Sequence, residues 1–223
     1  MSLSHQLNRL IEAGLTDVTG VSPAELAAHV AELPDEPHGV LAVHPTLATA
    51  RQLAPLLRHR DKPGFVVEDL TDLEEFVPLD GLDVPAGPLY VIHDPDRGDD
   101  MRNWSPNEAL PAILQRGRTP LTVNEGISWL LQEPKVLEPN HCFMTIGSRK
   151  PKGGALDART PAIWISNGTG RDGATHRRAP KVGWCWAGNR HTWLGFASAG
   201  QRKPNTGGRI STTVQNHTAY TGK

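Results

Sequence analysis

Four capping boxes mark helix starts through the first two-thirds of the chain. In such a box a hydroxyl caps a backbone N–H, and a glutamate three residues later reaches back to the first residue. The boxes are Ser22–Glu25, Thr71–Glu74, Ser105–Glu108 and Thr122–Glu125. The first and third have proline at the first helical position, where its missing N–H costs nothing. Pro111 predicts a kink or an early stop in the third helix.

Short apolar runs of strand length lie between these helices and continue after them. They are Val40–Val43, Phe65–Val67, Leu89–Ile92, Cys142–Ile146, Ala162–Ile165, Val182–Ala187 and Thr192–Ala197. Strands and helices alternate early, whereas the late strands follow one another directly. This order predicts an α+β fold, a mixed sheet ending in an antiparallel tryptophan-rich hairpin with helices packed on it. We expect one domain over residues 1–200, with a helical N-terminal portion over 1–37.

Charge is distributed unevenly along the chain. Residues 1–140 hold 10 Lys and Arg against 22 Asp and Glu, whereas residues 141–223 hold 13 against 2. This asymmetry indicates either an anionic partner for the basic segment or attraction between the two segments within one fold. The stretch 201–223 is polar and lacks periodicity, which predicts a basic, flexible tail.

Neither export nor membrane insertion is expected. No apolar run approaches the roughly 20 residues needed to cross a bilayer, and the first fifteen residues have the apolar spacing of an amphipathic helix. The two cysteines, Cys142 and Cys185, are too few for a disulfide framework. We therefore expect a cytoplasmic protein with reduced thiols and no membrane partner.

The segment 181–199, KVGWCWAGNRHTWLGFASA, is the most distinctive part of the chain. Two strand-like runs flank Gly188 and Asn189, a pair suited to a two-residue hairpin turn. Counting back from that turn predicts four ring side chains on one face of the hairpin. They are Trp184, Trp186, His191 and Trp193. This face is either part of the core or a stacking platform for bases or another planar ligand.

The same register bears on a possible catalytic pair. A two-residue turn places Cys185 and His191 on opposite faces, which disfavours an activated thiolate and leaves Cys185 as a small buried hydrophobe. A three-residue loop over 188–190 would reverse this and put both side chains on one face. The catalytic candidates are accordingly His191, Asn189 and Cys185, with a pocket expected around His191 and Asn189.

Basic side chains around this segment are candidates for phosphate binding. Gly168, Gly170 and Gly173 spell G-x-G-x-x-G, but neither a helical pattern nor an acidic residue follows at the required distance, so a dinucleotide fold is not expected. The glycine loop is either an ordinary solvated loop or a phosphate-binding loop. The basic candidates are Arg149, Lys150, Lys152, Arg171, Arg177, Arg178, Lys181 and Arg190.

Two sets of side chains are candidates for binding metal. The first set is Asp94, Asp96, Asp99 and Asp100. Gly98 falls one position early for the usual calcium loop, which favours a solvated turn. The second set is His141, Cys142, Cys185 and His191. Adjacent residues cannot both point the same way from a strand, which disfavours zinc. No metal or cofactor is therefore expected.

Several motifs of the chain resemble those of an actinobacterial family of proteins of unknown function. The resemblance covers most of residues 38–199 and is carried by GFVVEDLTDLEEFVPLDG, NWSPNEALPAILQRGRTPLTVNEGISWLL, PAIWIS and above all GWCWAGNRHTWLG. Arg190 stands where that family commonly has proline, a cysteine is common near Gly200, and the loop 167–179 is longer here. The resemblance implies a domain identity and supplies no catalytic residue.

The leading functional hypothesis is a binding or regulatory protein that engages an anionic partner such as RNA or a ribonucleoprotein. Basic loops would contact phosphate, and exposed tryptophans would stack on bases. An alternative is a small-molecule enzyme in which the imidazole of His191 acts as acid or base. A second alternative is a protein–protein interaction scaffold that uses the tryptophans as a hot spot.

Overall fold

A computed structural model describes residues 1–204 of the chain. The α-helices are α1 Leu3–Ala13, α2 Leu15–Thr19, α3 Pro23–Ala31, α4 Ala50–Leu53, α5 Pro106–Gln115 and α6 Val123–Gln132. The strands are β1 Gly39–Val43, β2 Arg58–His59, β3 Lys62–Pro63, β4 Phe65–Val66, β5 Val77–Pro78, β6 Leu89–His93, β7 Thr119–Pro120, β8 Cys142–Met144, β9 Ser148–Arg149, β10 Pro151–Lys152, β11 Ala155–Leu156, β12 Arg159–Ile165, β13 Pro180–Trp186, β14 Leu194–Phe196, β15 Ser198–Ala199 and β16 Gln201–Lys203. These elements confirm the α+β class. No helix within this range is long and apolar enough to span a membrane.

Three of the four predicted capping boxes begin helices. Ser22, Ser105 and Thr122 each cap the backbone N–H three residues on, and the glutamate at that position returns a bond to the cap. Pro111 neither stops nor shortens α5, which continues to Gln115. Local capping chemistry therefore places the starts of α3, α5 and α6.

The prediction of a helix at Thr71 is wrong. Residues Leu73–Glu75 form a single 3-10 turn, and no side chain caps it. Conversely, α4 begins at a capping box that was not predicted, with Thr49 as the cap and Gln52 in the place of glutamate.

Two sheets organise the fold, with α6 packed against both. The larger sheet has the order β14-β8-β12-β13-β4 and is mixed, because β14 and β4 pair in parallel with their neighbours. The smaller sheet, β1-β6-β16, is antiparallel. Helix α6 contacts β1 of one sheet and β12 of the other. All of its residues are buried, so it is more than the one-sided amphipathic helix that its apolar spacing predicts.

The polar side chains of α6 form hydrogen bonds with backbone groups of neighbouring segments. The amide of Asn124 donates to the carbonyls of Val43 and Ala48 at 3.1 and 2.9 Å. The hydroxyl of Ser128 accepts the N–H of Val43 at 3.0 Å. Buried backbone groups need such partners. Helix α6 therefore supplies hydrogen bonds to the backbone at the end of β1 and also packs in the core.

Strand β16 carries Arg202 into the core. Its guanidinium donates to both oxygens of the Glu125 carboxylate at 2.6 and 2.8 Å, and the hydroxyl of Tyr90 donates to the same carboxylate at 2.9 Å. The exposed fractions of the Arg202 and Glu125 side chains are 4% and 0%. Burial opposes the charge of Arg202, but the hydrogen bonds and charge of Glu125 raise its pKa overall.

This arrangement corrects the predicted flexible tail. Gln201–Lys203 form the third strand of the smaller sheet, paired with β6. The prediction is therefore wrong for these residues, because a buried ion pair and a strand ladder hold them. The remaining part of the predicted tail, 205–223, lies outside the described residues.

The predicted tryptophan hairpin around Gly188 does not form. Strand β13 lies between β12 and β4, whereas β14 pairs with β8, so the two strands are not neighbours. The segment that joins them, residues 187–193, binds the start of α5 instead. The N–H of Asn107 donates to the carbonyl of Ala187 at 3.2 Å, and the N–H of Asn103 donates to that of His191 at 2.8 Å. Tertiary hydrogen bonds thus replace the predicted pairing of β13 with β14.

Candidate functional site

The register of β12 and β13 divides the tryptophans between two faces of the larger sheet. Trp184 and Trp186 are two residues apart and share one face. Cys185 points to the opposite face and is paired directly with Thr160 of β12. The prediction that Trp184 and Trp186 share a face with His191 and Trp193 is therefore wrong, because it assumed a hairpin that does not form.

His191 lies beside Cys185, contrary to the expectation from a two-residue turn. The Sγ of Cys185 is 2.9 Å from Nε2 of His191, within hydrogen-bonding distance for a sulfur. Both side chains are half-buried. The loop 187–193 brings the imidazole back over the face that bears the thiol. The structure therefore forms the pair that the assumed register excluded.

The environment keeps both members of this pair neutral near pH 7. Burial raises the pKa of the Cys185 thiol, and burial lowers the pKa of the His191 imidazole. Both shifts disfavour the charged forms. A neutral thiol donates its S–H to Nε2, which assigns the ring proton to Nδ1. This is the arrangement of a general base beside a nucleophile, and it differs from a preformed thiolate–imidazolium pair.

Thr160 places an unused hydroxyl on the same side of the sheet as the thiol. Its side chain is fully buried, and its Oγ1 has no hydrogen-bond partner among the described residues. Cβ atoms of directly opposed residues in an antiparallel pair lie about 4.5–5.5 Å apart, so Thr160 and Cys185 are close neighbours. A buried hydroxyl without a partner costs about 1–3 kcal/mol, and its O–H is free to donate to a group placed beside it.

Two indole rings extend from the imidazole along this face. The ring centre of Trp193 is 5.3 Å from that of His191, and the ring centre of Trp164 is 6.2 Å from that of Trp193. Trp164 lies against Gly183, where an added Cβ would be 2.5 Å from Cη2 of the indole. Glycine at this position is what allows the ring to lie on the backbone. The thiol and imidazole therefore stand at one end of an aromatic row.

A family model matches residues 9–205, which is most of the chain. The chain belongs to DUF5701, a family of unknown function. This confirms the resemblance to an uncharacterised family. No curated protein and no solved structure matches the chain. Membership of DUF5701 brings no assigned activity, so the function has to be argued from the geometry of the site.

The loop that carries His191 is anchored to the start of α5. Arg190 forms an ion pair with Glu108, the glutamate of the capping box of that helix. The N–H of Asn189 donates to the carbonyl of Trp186 at 3.0 Å, which closes a tight turn, and its side chain is exposed. Of the three catalytic candidates, the structure brings together Cys185 and His191 and leaves Asn189 at the turn.

Two of the larger cavities of this DUF5701 protein open elsewhere. One of about 700 Å³ lies between α5, residues 79–83 and β16. Another of about 500 Å³ lies beside His38 and Gln132. Neither borders Cys185 or His191, so the expected pocket around His191 and Asn189 does not coincide with them.

The opposite face of β13 is largely occupied by the protein itself. The indole N–H of Trp184 donates to Asp69 at 3.3 Å. The guanidinium of Arg159 lies 5.4 Å from the ring centre of Phe76 and 5.9 Å from that of Trp184. Trp186, with 48% of its surface exposed, is the member of the predicted platform that remains open to solvent.

Most of the basic candidates have acidic partners within the fold. The ion pairs are Lys150–Asp72, Lys150–Glu75, Lys152–Asp157, Arg171–Asp69, Lys181–Asp172 and Arg190–Glu108. Arg149 is buried, and its guanidinium donates to the carbonyl of Asp157 at 2.9 Å. Attraction between the acidic and basic segments thus accounts for several of these cations. Arg177 and Arg178 are exposed and have no ion pair within residues 1–204.

The glycine loop contains no dinucleotide-type helix. After β12 the chain makes two 3-10 turns, Gly170–Asp172 and Ala174–His176, and then enters β13. This agrees with the expectation that the G-x-G-x-x-G pattern is not a dinucleotide motif.

The carboxylates proposed for a metal bind groups of the chain instead. Asp94 pairs with Arg118, and Asp99 pairs with Arg97. Asp96 accepts the N–H of Gly98, and Asp100 pairs with Arg116. Among the described residues, no three His, Cys, Asp or Glu side chains are grouped as metal ligands.

The zinc candidates are likewise separated into two places. His141 lies 3.4 Å from the carboxylate of Asp99. Cys142 is buried against the carbonyl of Glu138, and burial raises its thiol pKa to about 11. Neither joins Cys185 and His191. Cys142 is therefore an inert core thiol, and Cys185 is the thiol with a chemical partner.

Proposed function

We propose that this protein is a thiol-dependent enzyme of the cytoplasm that acts on the acyl group of a small molecule. Cys185 is the nucleophile and His191 is its general base. The distance of 2.9 Å between Sγ and Nε2 is the observation that carries this proposal. A reducing compartment keeps such a thiol available.

The neutral pair dictates the order of proton transfers. As Sγ attacks an electrophilic carbonyl carbon, its proton moves to Nε2 and a carbon–sulfur bond forms. The imidazolium then gives that proton to the leaving group, and a thioester remains on Cys185. A water molecule deprotonated by the same imidazole attacks the thioester, releases the carboxylic acid and returns the thiol. No redox partner is needed.

The aromatic row suggests the class of acyl group. Trp193 and Trp164 present apolar, planar surfaces next to the imidazole. Such surfaces favour an apolar or aromatic acyl chain, because burying it removes apolar area from water at about 25 cal/mol per Å².

Thr160 is proposed to donate a hydrogen bond to the sulfur as negative charge develops on it. Thr160→Val is expected to slow acylation of Cys185 while it stabilises the fold by about 1 kcal/mol, because the change removes a buried hydroxyl without a partner. Urea unfolding and the acylation rate measure the two effects. Thr160→Ser, which keeps the hydroxyl, is expected to retain the rate. Equal rates for wild type and Thr160→Val would remove this role.

The proposal is tested with an activated ester, p-nitrophenyl acetate, on the Cys142→Ser variant, which leaves Cys185 as the sole thiol of the sequence. We expect a burst of nitrophenol that matches one acetyl group on Cys185, located by peptide mass spectrometry. Cys185→Ser in the same background is expected to abolish the burst. Acylation no faster than that of an unfolded control peptide of the same segment would contradict the proposal.

The alternative of a protein–protein scaffold stays a prediction. Trp186, which is largely exposed, is the tryptophan of the segment that such a partner would contact first.

A further inference from the structure

Five cations without an acidic partner lie on two segments that are remote in sequence and that the fold brings into contact. They are Arg58, Arg60, Lys62, Arg177 and Arg178, here called the cationic patch. The first three belong to residues 1–140, whose net charge is negative, so the charge of that segment gives no sign of them. None of the five forms an ion pair within residues 1–204.

The fold joins the two halves of the patch directly. Strands β2 and β3 form a short hairpin, with His59 paired to Lys62. The Nδ1 of His59 donates to the carbonyl of Arg178 at 2.8 Å, which holds the hairpin against the glycine loop. A Cβ added at Gly168 would lie 2.5 Å from Cβ of Arg177, so this glycine allows the loop to close beneath that arginine.

Two arginines of the patch adopt an uncommon backbone conformation. The φ angles of Arg60 and Arg178 are 57° and 69°, in the left-handed region that non-glycine residues seldom occupy. Such conformations cost on the order of 1 kcal/mol and recur at functional sites. The sequence therefore retains long cationic side chains at two positions where glycine or asparagine would be less strained.

Neighbouring acids do not neutralise the patch. Asp172 is engaged by Lys181 at 2.6 Å and by the hydroxyl of Ser166 at 2.7 Å. Asp69 is engaged by Arg171 at 2.7 Å. Within the hairpin, Asp61 is the one acidic residue. The surface therefore keeps a net positive charge, which attracts polyanions over about a Debye length, or 8–10 Å.

A stacked pair of rings borders the patch. The ring centres of Phe65 and His176 are 4.1 Å apart with an interplanar angle of 23°. Both side chains are half-buried. Phe65 is the first residue of β4, and His176 directly precedes Arg177 in the chain. Ring faces beside cations are the combination by which proteins hold single-stranded nucleic acid, with bases stacked on the rings and phosphates on the cations.

We propose that the cationic patch binds single-stranded nucleic acid, with the Phe65–His176 pair as the stacking surface. The binding is independent of the thiol chemistry proposed above. An anionic membrane fits less well, because the exposed large apolar side chains among the described residues are Met1, Val77, Trp104, Leu114, Leu156 and Trp186, and none belongs to the patch. A membrane-binding surface would add such a side chain to its cations.

The test is fluorescence anisotropy of labelled 12-nucleotide RNA and DNA oligomers, titrated with the full chain at several salt concentrations. We expect salt-dependent binding that Arg177→Glu/Arg178→Glu and Arg58→Glu/Arg60→Glu each weaken by about tenfold or more. Loss of two phosphate contacts reduces the salt slope by about 1.4. Lys135→Glu, an exposed cation elsewhere without an ion pair, is the matched control and is expected to bind as wild type.

Several results would overturn this proposal. They are absence of oligomer binding by wild type at low salt, binding that neither double variant weakens, and equal weakening by Lys135→Glu. Binding to vesicles containing phosphatidylserine without binding to oligomers would make the partner a membrane. The glutamine variants Arg177→Gln/Arg178→Gln repeat the comparison without charge reversal, and thermal unfolding by circular dichroism verifies that each variant is folded.

Discussion

His191→Gln is expected to slow acylation of Cys185 by p-nitrophenyl acetate by about 100-fold or more, since a general base contributes about 10²–10⁴-fold. The reason is the neutral state of the pair. Burial raises the pKa of the thiol, so little thiolate exists at pH 7 without a base to remove the proton. Glutamine fills a similar volume and can donate or accept a hydrogen bond, but it cannot take the proton from Sγ.

The pH profile separates this role from a structural one. The imidazole has its pKa below the ordinary 6.5 and the thiol above the ordinary 9.0. The wild-type rate should therefore rise as pH increases through the lowered His191 pKa, and level off until the thiol itself ionises. In His191→Gln the plateau should disappear, leaving a single rise toward the raised thiol pKa.

His176→Gln is the matched control for this variant, because it alters another half-buried histidine, whose ring stacks on Phe65 and binds the carbonyl of Asp172. It is expected to keep both the rate and the plateau. A plateau that persists in His191→Gln would show that another group removes the proton, and the assignment of the base would then be wrong.

Arg202→Ala is expected to destabilise the fold by about 3–5 kcal/mol, the range for removing one partner of a buried ion pair. The change leaves the Glu125 carboxylate, with no exposed surface, facing only Tyr90 and the cap of α6. It also releases the strand that completes the smaller sheet. The free energy of unfolding in urea is the measurement.

Two comparisons identify the cause of this loss. Lys203→Ala removes a partly exposed cation from the same strand and is expected to cost less than about 1 kcal/mol. Glu125→Gln combined with Arg202→Met is expected to recover part of the stability, because no charge is then buried alone. Glutamine is able to complete a capping box, as Gln52 does in α4. A cost for Arg202→Ala no greater than that for Lys203→Ala would contradict the prediction.

Much of the secondary structure is predictable from the sequence because its causes are local. Each predicted strand segment overlaps an observed strand. The boxes at Ser22, Ser105 and Thr122 cap helices as expected. The prediction of a helix at Thr71 is wrong because the segment forms one 3-10 turn and no α-helix follows it. Capping chemistry thus identifies where a helix can begin and leaves open whether it continues.

The site could not be predicted because strand pairing is not local. Gly188 and Asn189 carry the signal of a two-residue turn, but the carbonyls of Ala187 and His191 accept N–H groups of the first turn of α5 and of the segment before it. With these hydrogen bonds β14 does not pair with β13. Cys185 and His191, predicted on opposite faces, are therefore in contact. The alternative of a three-residue loop also predicted Cys185 and His191 on one face, but it assumed a hairpin between β13 and β14, which does not form.

The net charge of a long segment shows neither which cations are paired inside the fold nor which remain unpaired. Lys150 and Arg171 find partners in the acidic segment, which the alternative of internal attraction anticipates. The hairpin of Arg58 and Arg60 belongs to that same acidic segment, and its contact with the glycine loop is visible only in three dimensions. Net charge over a long window therefore cannot locate a cationic surface.

Glu108 links two tasks that are usually separate. It completes the cap of α5, and it holds Arg190, the residue next to the proposed base. Arg190 thus ties the loop that carries the proposed base to a helix start some eighty residues earlier in the chain. We therefore expect substitutions at Ser105 or Glu108 to alter the proposed reactivity of Cys185 without contacting the thiol.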